Sequence, residues 1–183
     1  MSFRTITLLC WSAFLALWWS PELSSAQTFA KSFGSIGINE GGDAMVDSPD
    51  GGFFIGGYRG DSALILKVDP LGSVLWARTF KSGSVYSDGI WQLAISPDGH
   101  LIGCGASLGG TPYIARDIFY FKFDLDGNPI WIRVSADDRP LRSFALLPKS
   151  ASEYVLVNVI YDMGSATFPD PITHGVSAAD GSF

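Results

Sequence analysis

The sequence predicts an all-β fold built from four-stranded antiparallel sheets, and three observations lead to that prediction. The 183 residues include 21 glycines and 10 prolines, which separate apolar runs of five to eight residues, a length typical of strands. The turn sequence Ser-Pro-Asp-Gly occurs at 48–51 and again at 96–99. A ten-residue pattern, Lys-x-Asp-x-x-Gly-x-x-x-Trp, occurs at 67–76 and again at 122–131, which indicates a repeated structural unit.

Each unit is predicted to be a meander of four strands, because its turns carry residues suited to hairpins. In Ser-Pro-Asp-Gly the proline presets φ at the second turn position and the glycine suits the fourth, as in a type I turn. The Lys-x-Asp pattern likewise puts Gly72 and Gly127 where a hairpin needs positive φ. The predicted units extend over 40–82, 88–136 and, in a degraded and incomplete form, 141–183.

An isolated strand is predicted at 27–35, ahead of the first unit. The segment TFAKSFGS at 28–35 aligns with LWARTFKS at 75–82, which contains the fourth strand of the first unit. The third unit is expected to lack its own fourth strand, because the sequence ends just after the turn glycine at Gly181. The segment 27–35 is therefore expected to be an isolated fourth strand ahead of the first unit.

The third strand of each unit indicates how the sheets pack. ALILKV at 63–68 and IFYFKF at 118–123 are apolar at successive positions rather than alternate ones, so both faces of each sheet are expected to be covered. Sheets stacked around an axis as a β-propeller, with about 40 to 50 residues per blade, meet that requirement. A plain β-sandwich is the alternative, but it does not require repeated units. The predicted fold is thus a partial β-propeller of about three blades.

The repeated pattern resembles that of a known group of proteins. DGGFFIGGY at 50–58, followed by the Lys-x-Asp pattern and its tryptophan, is similar to the β-propeller repeats of secreted bacterial proteins called Delta-60 or SBBP-like repeats. More distantly, it resembles the tryptophan-docking repeats of propellers that bind pyrroloquinoline quinone (PQQ). The resemblance covers 28–183 and implies a propeller fold in an exported or cell-surface polypeptide.

Three units do not close a ring by themselves, since closed propellers have about four to eight blades. Three explanations are open. The chain is a piece of a longer propeller, or it pairs with another chain, or the three units form an open stack with a vulnerable edge. Of these three, a fragment of a longer propeller is favoured.

Residues 1–26 are predicted to be a signal peptide. Arg4 supplies the positive start, Ile6–Trp19 is an apolar run, and small residues at 24–26 suit cleavage before Gln27. The run of 14 residues is shorter than the ~20 needed to cross a bilayer, so a membrane anchor is disfavoured. The mature chain is expected to be secreted, periplasmic or at the cell surface, without stable membrane insertion.

The net charge of −6 disfavours a nucleic-acid partner, because no basic patch is available to displace counterions from phosphates. Removal of the signal peptide also removes Cys10 and leaves Cys104 without an intrachain partner, so no disulfide is predicted. Cys104 lies in an apolar, strand-like segment and is expected to be a buried, inert thiol.

GASLG at 105–109 has the spacing of a nucleophile elbow around Ser107, and Asp170 and His174 follow in hydrolase order. An elbow requires a helix after its turn, whereas Pro112 and a strand-like segment follow here. The glycines are also explained by the strand pattern of the unit. No catalytic residue is therefore predicted.

Metal and cofactor sites are not predicted either. His100 and His174 lie in different units, without a cysteine cluster. DLDGN at 124–128 resembles half of a calcium loop, but without the later glutamate it is better explained as a hairpin turn.

The tryptophans are expected to have structural roles. Trp76 and Trp131 recur at one position and are predicted to pack between sheets, each N–H bonded to a backbone acceptor, with sugar stacking as the alternative. Trp91 stands where the first unit has Asp43, and is expected to line the central channel or to pack in the core.

A candidate binding surface is predicted where the units differ by insertion. The first unit joins its second and third strands with RGDS, whereas the second uses SLGGTPYIARDI, which carries Tyr113, Arg116 and Asp117. A loop that merely tolerates insertion is the alternative. The predicted function is a non-catalytic exported module that serves as a scaffold or binds a protein or glycan. The alternative function is a subdomain of a larger enzyme, either a quinoprotein-like oxidoreductase or a carbohydrate-active protein.

Overall fold

The computed structural model describes residues 31–83, 87–109, 114–135, 141–160 and 171–183, and every regular element within these ranges is a β-strand. The predicted all-β class is therefore confirmed. None of the described segments forms a helix long and apolar enough to span a bilayer. The predicted signal peptide, 1–26, lies outside the described residues, so export stays a prediction.

The described residues contain eleven strands, and within each sheet consecutive strands pair antiparallel. Their bounds are β1 Glu40–Asp47, β2 Phe53–Arg59, β3 Ser62–Val68, β4 Val74–Phe80, β5 Ser87–Ile95, β6 Leu101–Gly109, β7 Ile114–Phe123, β8 Pro129–Val134, β9 Leu141–Pro148, β10 Glu153–Ile160 and β11 Pro171–Ser177.

These strands form three separate sheets. Sheet A has the order β1-β2-β3-β4 and sheet B the order β5-β6-β7-β8, so each is a four-stranded meander as predicted. Sheet C repeats the order with β9, β10 and β11, and has three strands within the described residues. Backbone contacts between sheets join β5 to β1, β2 and β3, and join β9 to β5, β6 and β7. The sheets therefore approach one another most closely at the first strand of the following sheet.

Both Ser-Pro-Asp-Gly segments form the predicted hydrogen-bonded turns. The Gly51 N–H donates to the Ser48 carbonyl and the Gly99 N–H to the Ser96 carbonyl, each at 2.9 Å. Both glycines have positive φ, 88° and 79°, a conformation that side chains with a Cβ adopt only with strain. The turns that the sequence predicts therefore connect β1 to β2 and β5 to β6.

The two Lys-x-Asp patterns occupy equivalent positions in sheets A and B. Lys67 of β3 lies opposite Trp76 of β4, and Lys122 of β7 lies opposite Trp131 of β8. In both ladders the register shifts immediately after the lysine, so that each fourth strand carries one extra residue just before its tryptophan.

Each lysine of the pattern forms an ion pair with the aspartate of the preceding Ser-Pro-Asp-Gly turn. The Nζ of Lys67 lies 2.6 Å from Oδ2 of Asp50, and the Nζ of Lys122 lies 2.6 Å from Oδ2 of Asp98. The two short sequence patterns are therefore parts of one contact within each sheet.

Hydrogen bonding, charge and burial set the pKa values of Asp50, Asp98 and Lys122 in these pairs. Hydrogen bonds from Lys67 lower the pKa of the exposed Asp50 carboxyl to about 2. Partial burial by itself would raise the pKa of Asp98, but hydrogen bonds from Lys122 and Ser96 outweigh it and hold that pKa well below its usual value. Burial likewise opposes the charge of Lys122, but the hydrogen bond with Asp98 leaves the lysine pKa raised.

The tryptophans of the pattern pack against the last turn of the next sheet, as predicted. A Cβ on Gly127 of sheet B would lie 3.0 Å from the Trp76 ring, and a Cβ on Gly181 would lie 2.9 Å from the Trp131 ring. The indole N–H of Trp131 donates to the Ala178 carbonyl at 3.3 Å. Because these contacts hold sheets together, sugar stacking by the two rings is disfavoured.

Two apolar cores lie between the three sheets, with sheet B in the middle. The core between sheets A and B contains Phe54, Ala63, Ile65, Ile90, Leu93, Leu101, Phe119, Phe121 and Phe123. The core between sheets B and C contains Ile102, Cys104, Ala106, Ile118, Tyr120, Trp131, Leu146, Tyr154, Leu156, Val176 and Ala178. Both faces of sheet B are covered, as the apolar pattern of its third strand predicts, and the Cys104 thiol is buried as expected.

The isolated strand predicted at 27–35 differs from the structure over its described part. Lys31–Ser35 forms no strand, and residues 27–30 lie outside the described residues. The segment follows the surface of sheet A, where Lys31 approaches Ser73 and Ser35 bonds with Arg59. A strand requires a neighbour along its edge, and these contacts are made by side chains instead.

Candidate ligand-binding cleft

A β-bulge interrupts the first strand of sheet A. Gly42 lies opposite Gly57 and Ala44 lies opposite Gly56, so Asp43 is an extra residue without a partner on β2. A bulged residue is released from the ladder, and its side chain can be aimed away from the regular alternation of the strand.

Sheet B has the same bulge at the same place. Ile90 lies opposite Gly105 and Gln92 lies opposite Cys104, which leaves Trp91 as the extra residue of β5. The sequence alignment of Trp91 with Asp43 therefore corresponds to a structural equivalence.

Sheet C carries a bulge in its first strand too. Asn158 lies opposite Ser143 and Val157 lies opposite Ala145, so Phe144 takes the extra position on β9. Bulges are common beside binding sites, where they redirect a side chain. Their presence at one position of all three first strands marks this end of the sheets as the candidate site.

Asp43 and Trp91 line one cleft of ≈ 650 Å³ between sheets A and B. The exposed Asp43 carboxylate and the partly buried Trp91 indole come from equivalent bulges on neighbouring sheets. The cleft is lined by Asn39, Asp43, Tyr58, Gly60, Ser87, Asp88, Gly89 and Trp91. It thus combines two aromatic rings with carboxylate, amide and hydroxyl groups.

Asp88 forms the buried side of this cleft and is held in place by hydrogen bonds. Only 1% of it is exposed, and its Oδ1 accepts from the hydroxyls of Ser107 and Ser82. Its Oδ2 accepts from the Ser82 backbone N–H at 2.6 Å. These bonds satisfy the carboxylate, so Asp88 shapes the wall of the cleft rather than presenting a reactive group.

Ser107 is a strand residue. It lies within β6, is fully buried and donates to Asp88, so the sharp turn of a nucleophile elbow is not formed around it. The chain continues as strand through Gly109. His174 lies on β11 of sheet C with its ring 5.0 Å from that of Phe183, and Asp170 lies outside the described residues.

The predicted binding loop is shorter than expected, because its ends extend the neighbouring strands. β6 reaches Gly109 and β7 begins at Ile114, so Arg116 and Asp117 belong to β7. Asp117 lies opposite Ser107, and Arg116 takes the extra position where this ladder shifts register. Tyr113 lies outside the described residues. This hairpin is longer than that of sheet A because the antiparallel pairing of β6 with β7 continues beyond the position at which β2 ends.

Within the described ranges, no three His, Cys, Asp or Glu side chains lie together as a set that could hold a metal ion. The half-pattern of a calcium loop forms the predicted hairpin turn instead. Oδ1 of Asp124 accepts from the backbone N–H groups of Asp126 and Asn128 at 3.0 and 2.8 Å. His100 contacts Asp98 at 3.3 Å, beside the lysine ion pair.

The sequence pattern does not mark this cleft, although its two bulge residues, Asp43 and Trp91, align between the units. Asn39 and Tyr58 carry no pattern that distinguishes them from ordinary strand-end residues. The replacement of an aspartate by a tryptophan at one unit position was the available signal, since structural positions of repeats usually keep their residue type.

Comparison of the chain with protein-family models matched no family, and a search of curated proteins found no match. The resemblance to Delta-60 and SBBP-like repeats therefore stays a prediction. The assignment of function depends on the geometry of the cleft.

Proposed function

We propose that this chain is an exported, non-catalytic β-propeller module that binds a neutral glycan in the cleft between sheets A and B. The observation that carries the proposal is the pair of equivalent bulges, which bring Asp43 and Trp91 to one cleft.

The arrangement of the sheets supports the propeller. The units have the same strand order, and each packs on the next through the tryptophan contact described above. Contacts between sheets concentrate on the first strands, which is the arrangement expected if the first strands lie nearest a common axis. The bulge residues would then lie beside the central channel.

The chemistry of the cleft supports a sugar. A pyranose ring presents an apolar face that stacks on an aromatic side chain and hydroxyls that bond to carboxylates and amides. Trp91 and Tyr58 supply the rings, and Asp43 and Asn39 supply the polar groups. The carboxylates and the net charge of −6 disfavour an anionic glycan, so a neutral one is expected.

A glycan array probed with the purified protein tests the proposal, followed by titration of the best neutral oligosaccharide. Trp91→Ala and Asp43→Ala are each expected to weaken binding by about tenfold or more, since each removes a directly contacting group. Asp47→Ala is the matched control, because Asp47 is exposed on the same strand but does not line the cleft.

Neutral glycans that bind equally well to Trp91→Ala and to the unchanged protein would refute the cleft as the site. Absence of binding across the array would refute the glycan proposal. A spectroscopic change on addition of PQQ, lost in Trp91→Ala, would favour the quinoprotein alternative instead.

A further inference from the structure

The end of the Tyr58 ring rests on Gly41, its cross-strand partner in sheet A. Gly41 of β1 lies opposite Tyr58 of β2. A Cβ on Gly41 would lie 2.6, 2.7 and 2.8 Å from Cε1, Cζ and Oη of Tyr58. These distances are too short for any side chain at position 41, so the glycine is what lets the phenol ring fold over the backbone of β1. The position of the ring therefore depends on Gly41 as well as on β2.

Sheet B places an aromatic ring beside the equivalent glycine, but this ring has a different origin. Gly89 is the second residue before the bulge residue Trp91, as Gly41 is the second residue before Asp43. A Cβ on Gly89 would lie 3.5 Å from Nε1 of Trp91, which is an ordinary contact distance. The residue opposite Gly89 on β6 is the buried Ala106. In sheet A the ring thus comes from the second strand, and in sheet B it comes from the bulge.

This exchange leaves the bulge of sheet A with a polar group. With Tyr58 over Gly41, position 43 carries an exposed carboxylate instead of a ring. Neither the Asp43 carboxylate nor the Tyr58 hydroxyl is hydrogen-bonded to any of the residues that the structure describes. The cleft therefore offers a free carboxylate and a free phenol on the side of sheet A, whereas the Asp88 carboxylate of sheet B is already satisfied.

Tyr58 and Trp91 line the same cleft from neighbouring sheets. Packed sheets lie about 10 Å apart, which is more than a single sugar ring covers. The cleft volume of ≈ 650 Å³ also falls within the range of about 300–1,000 Å³ that holds drug-sized ligands, which are larger than one sugar. A glycan that contacts both rings therefore has at least two sugar units.

We propose that Tyr58 and Trp91 form two aromatic subsites, so that the cleft binds a linear neutral oligosaccharide with one sugar stacked on each ring. The Asp43 carboxylate and the Tyr58 hydroxyl bond to hydroxyl groups of this chain. Gly41 is a positioning residue, which acts by fixing the Tyr58 ring. The inference rests on the proposed function and specifies its ligand as a chain of two or more sugars.

Titration calorimetry with a length series tests the two subsites. The series contains the best linear neutral oligosaccharide of the glycan array, its disaccharide and its monosaccharide. The unchanged protein is expected to bind the disaccharide about tenfold or more tightly than the monosaccharide, because a second stacking contact is added. Tyr58→Ala and Trp91→Ala are each expected to remove that advantage. Tyr58→Phe keeps the ring, so it is expected to keep the length dependence and to lose about threefold in affinity with the hydroxyl.

Gly41→Ala and Gly89→Ala are a matched pair that tests the positioning role. Alanine at 41 collides with the end of the Tyr58 ring, whereas alanine at 89 meets Trp91 at an ordinary distance. Gly41→Ala is expected to weaken oligosaccharide binding by about tenfold, and Gly89→Ala to leave it unchanged. In a Tyr58→Ala background, Gly41→Ala is expected to have no further effect, because no ring is left to displace.

NMR spectra of protein with ring-labelled tyrosine report the same displacement without a ligand. The Tyr58 signal, assigned by its absence in Tyr58→Phe, is expected to shift in Gly41→Ala and to stay in place in Gly89→Ala. An unshifted signal in Gly41→Ala, or a further loss of binding from Gly41→Ala when Tyr58 is absent, would overturn the positioning role.

The variants separate failure of this inference from failure of the proposed function. If Trp91→Ala loses binding while Tyr58→Ala binds the oligosaccharide as the unchanged protein does, the second subsite is overturned and the glycan site at Trp91 stands. Equal affinity of the unchanged protein for the monosaccharide and the disaccharide would also overturn the second subsite alone. Absence of binding to every glycan would overturn both proposals.

Discussion

Lys122→Met is expected to destabilise the protein far more than the equivalent substitution in sheet A. The Lys122 side chain is 6% exposed, pairs with Asp98 at 2.6 Å and donates to the Ala178 carbonyl of sheet C at 2.9 Å. Its Nζ also lies 5.6 Å from the centre of the Tyr154 ring. The substitution therefore leaves a carboxylate without its cation and removes a hydrogen bond between two sheets.

The magnitude follows from burial. Removing one partner of a fully buried pair costs about 3–5 kcal/mol. The Asp98 side chain is 27% exposed and keeps its bonds from Ser96 and Tyr154, so we expect about 2–3 kcal/mol for Lys122→Met. In the equivalent pair Asp50 is 52% exposed, so Lys67→Met is expected to cost only about 0.5–1 kcal/mol.

Urea unfolding followed by tryptophan fluorescence measures both free energies. A second variant, Lys122→Met with Asp98→Asn, removes the orphaned charge and is expected to recover part of the loss. Equal costs for the two lysine variants would refute the reasoning, because burial would then not set the strength of the pair. If the double variant loses as much unfolding free energy as Lys122→Met and Asp98→Asn lose together, the two side chains are not coupled and the reasoning is refuted.

Three further outcomes are expected. Gly127→Ala is predicted to cost about 1–2 kcal/mol more in unfolding free energy than Gly99→Ala. Both glycines have positive φ, but only Gly127 contacts the Trp76 ring. Equal costs for the two variants would disprove the ring contact. Lowering the pH from about 4 to 2 is predicted to destabilise the protein, since folded Asp50 keeps its charge to a pKa of about 2 while the unfolded group protonates near 3.8. Acid unfolding of Asp50→Asn should show a smaller loss in that window, and an unchanged loss would contradict it. The buried Cys104 thiol is predicted to resist a thiol reagent until the protein unfolds, and rapid reaction in native buffer would show that it is accessible.

The strands and turns were predictable because their determinants are local. Proline and glycine in Ser-Pro-Asp-Gly fix a turn through backbone conformation alone, and two sites obey the same rule. The apolar run of 118–123 predicted a sheet covered on both faces, because burial on two faces removes the alternation of polar residues. By contrast, the contact between Lys122 and Asp98 joins two patterns across different strands, and only their pairing reveals it.

The cleft was not predictable in the same way. A bulge adds one residue to a strand without a distinctive composition, so the exchange of Asp43 for Trp91 between units marks the position but does not reveal the bulge. The insertion relative to RGDS predicts a loop that carries Arg116, yet the strands of this hairpin continue on both sides. In both places the decisive quantity is strand register, which depends on pairing across the sheet.

The most direct test of the equivalence of the sheets is a crystal structure of the purified protein. We predict that the Trp76 ring packs on Gly127 and the Trp131 ring on Gly181, with each pattern lysine bonded to the aspartate of its preceding turn. A structure in which one Lys-x-Asp pattern lies at a different strand position, or in a helix, would contradict the equivalence and the stacking inferred from it.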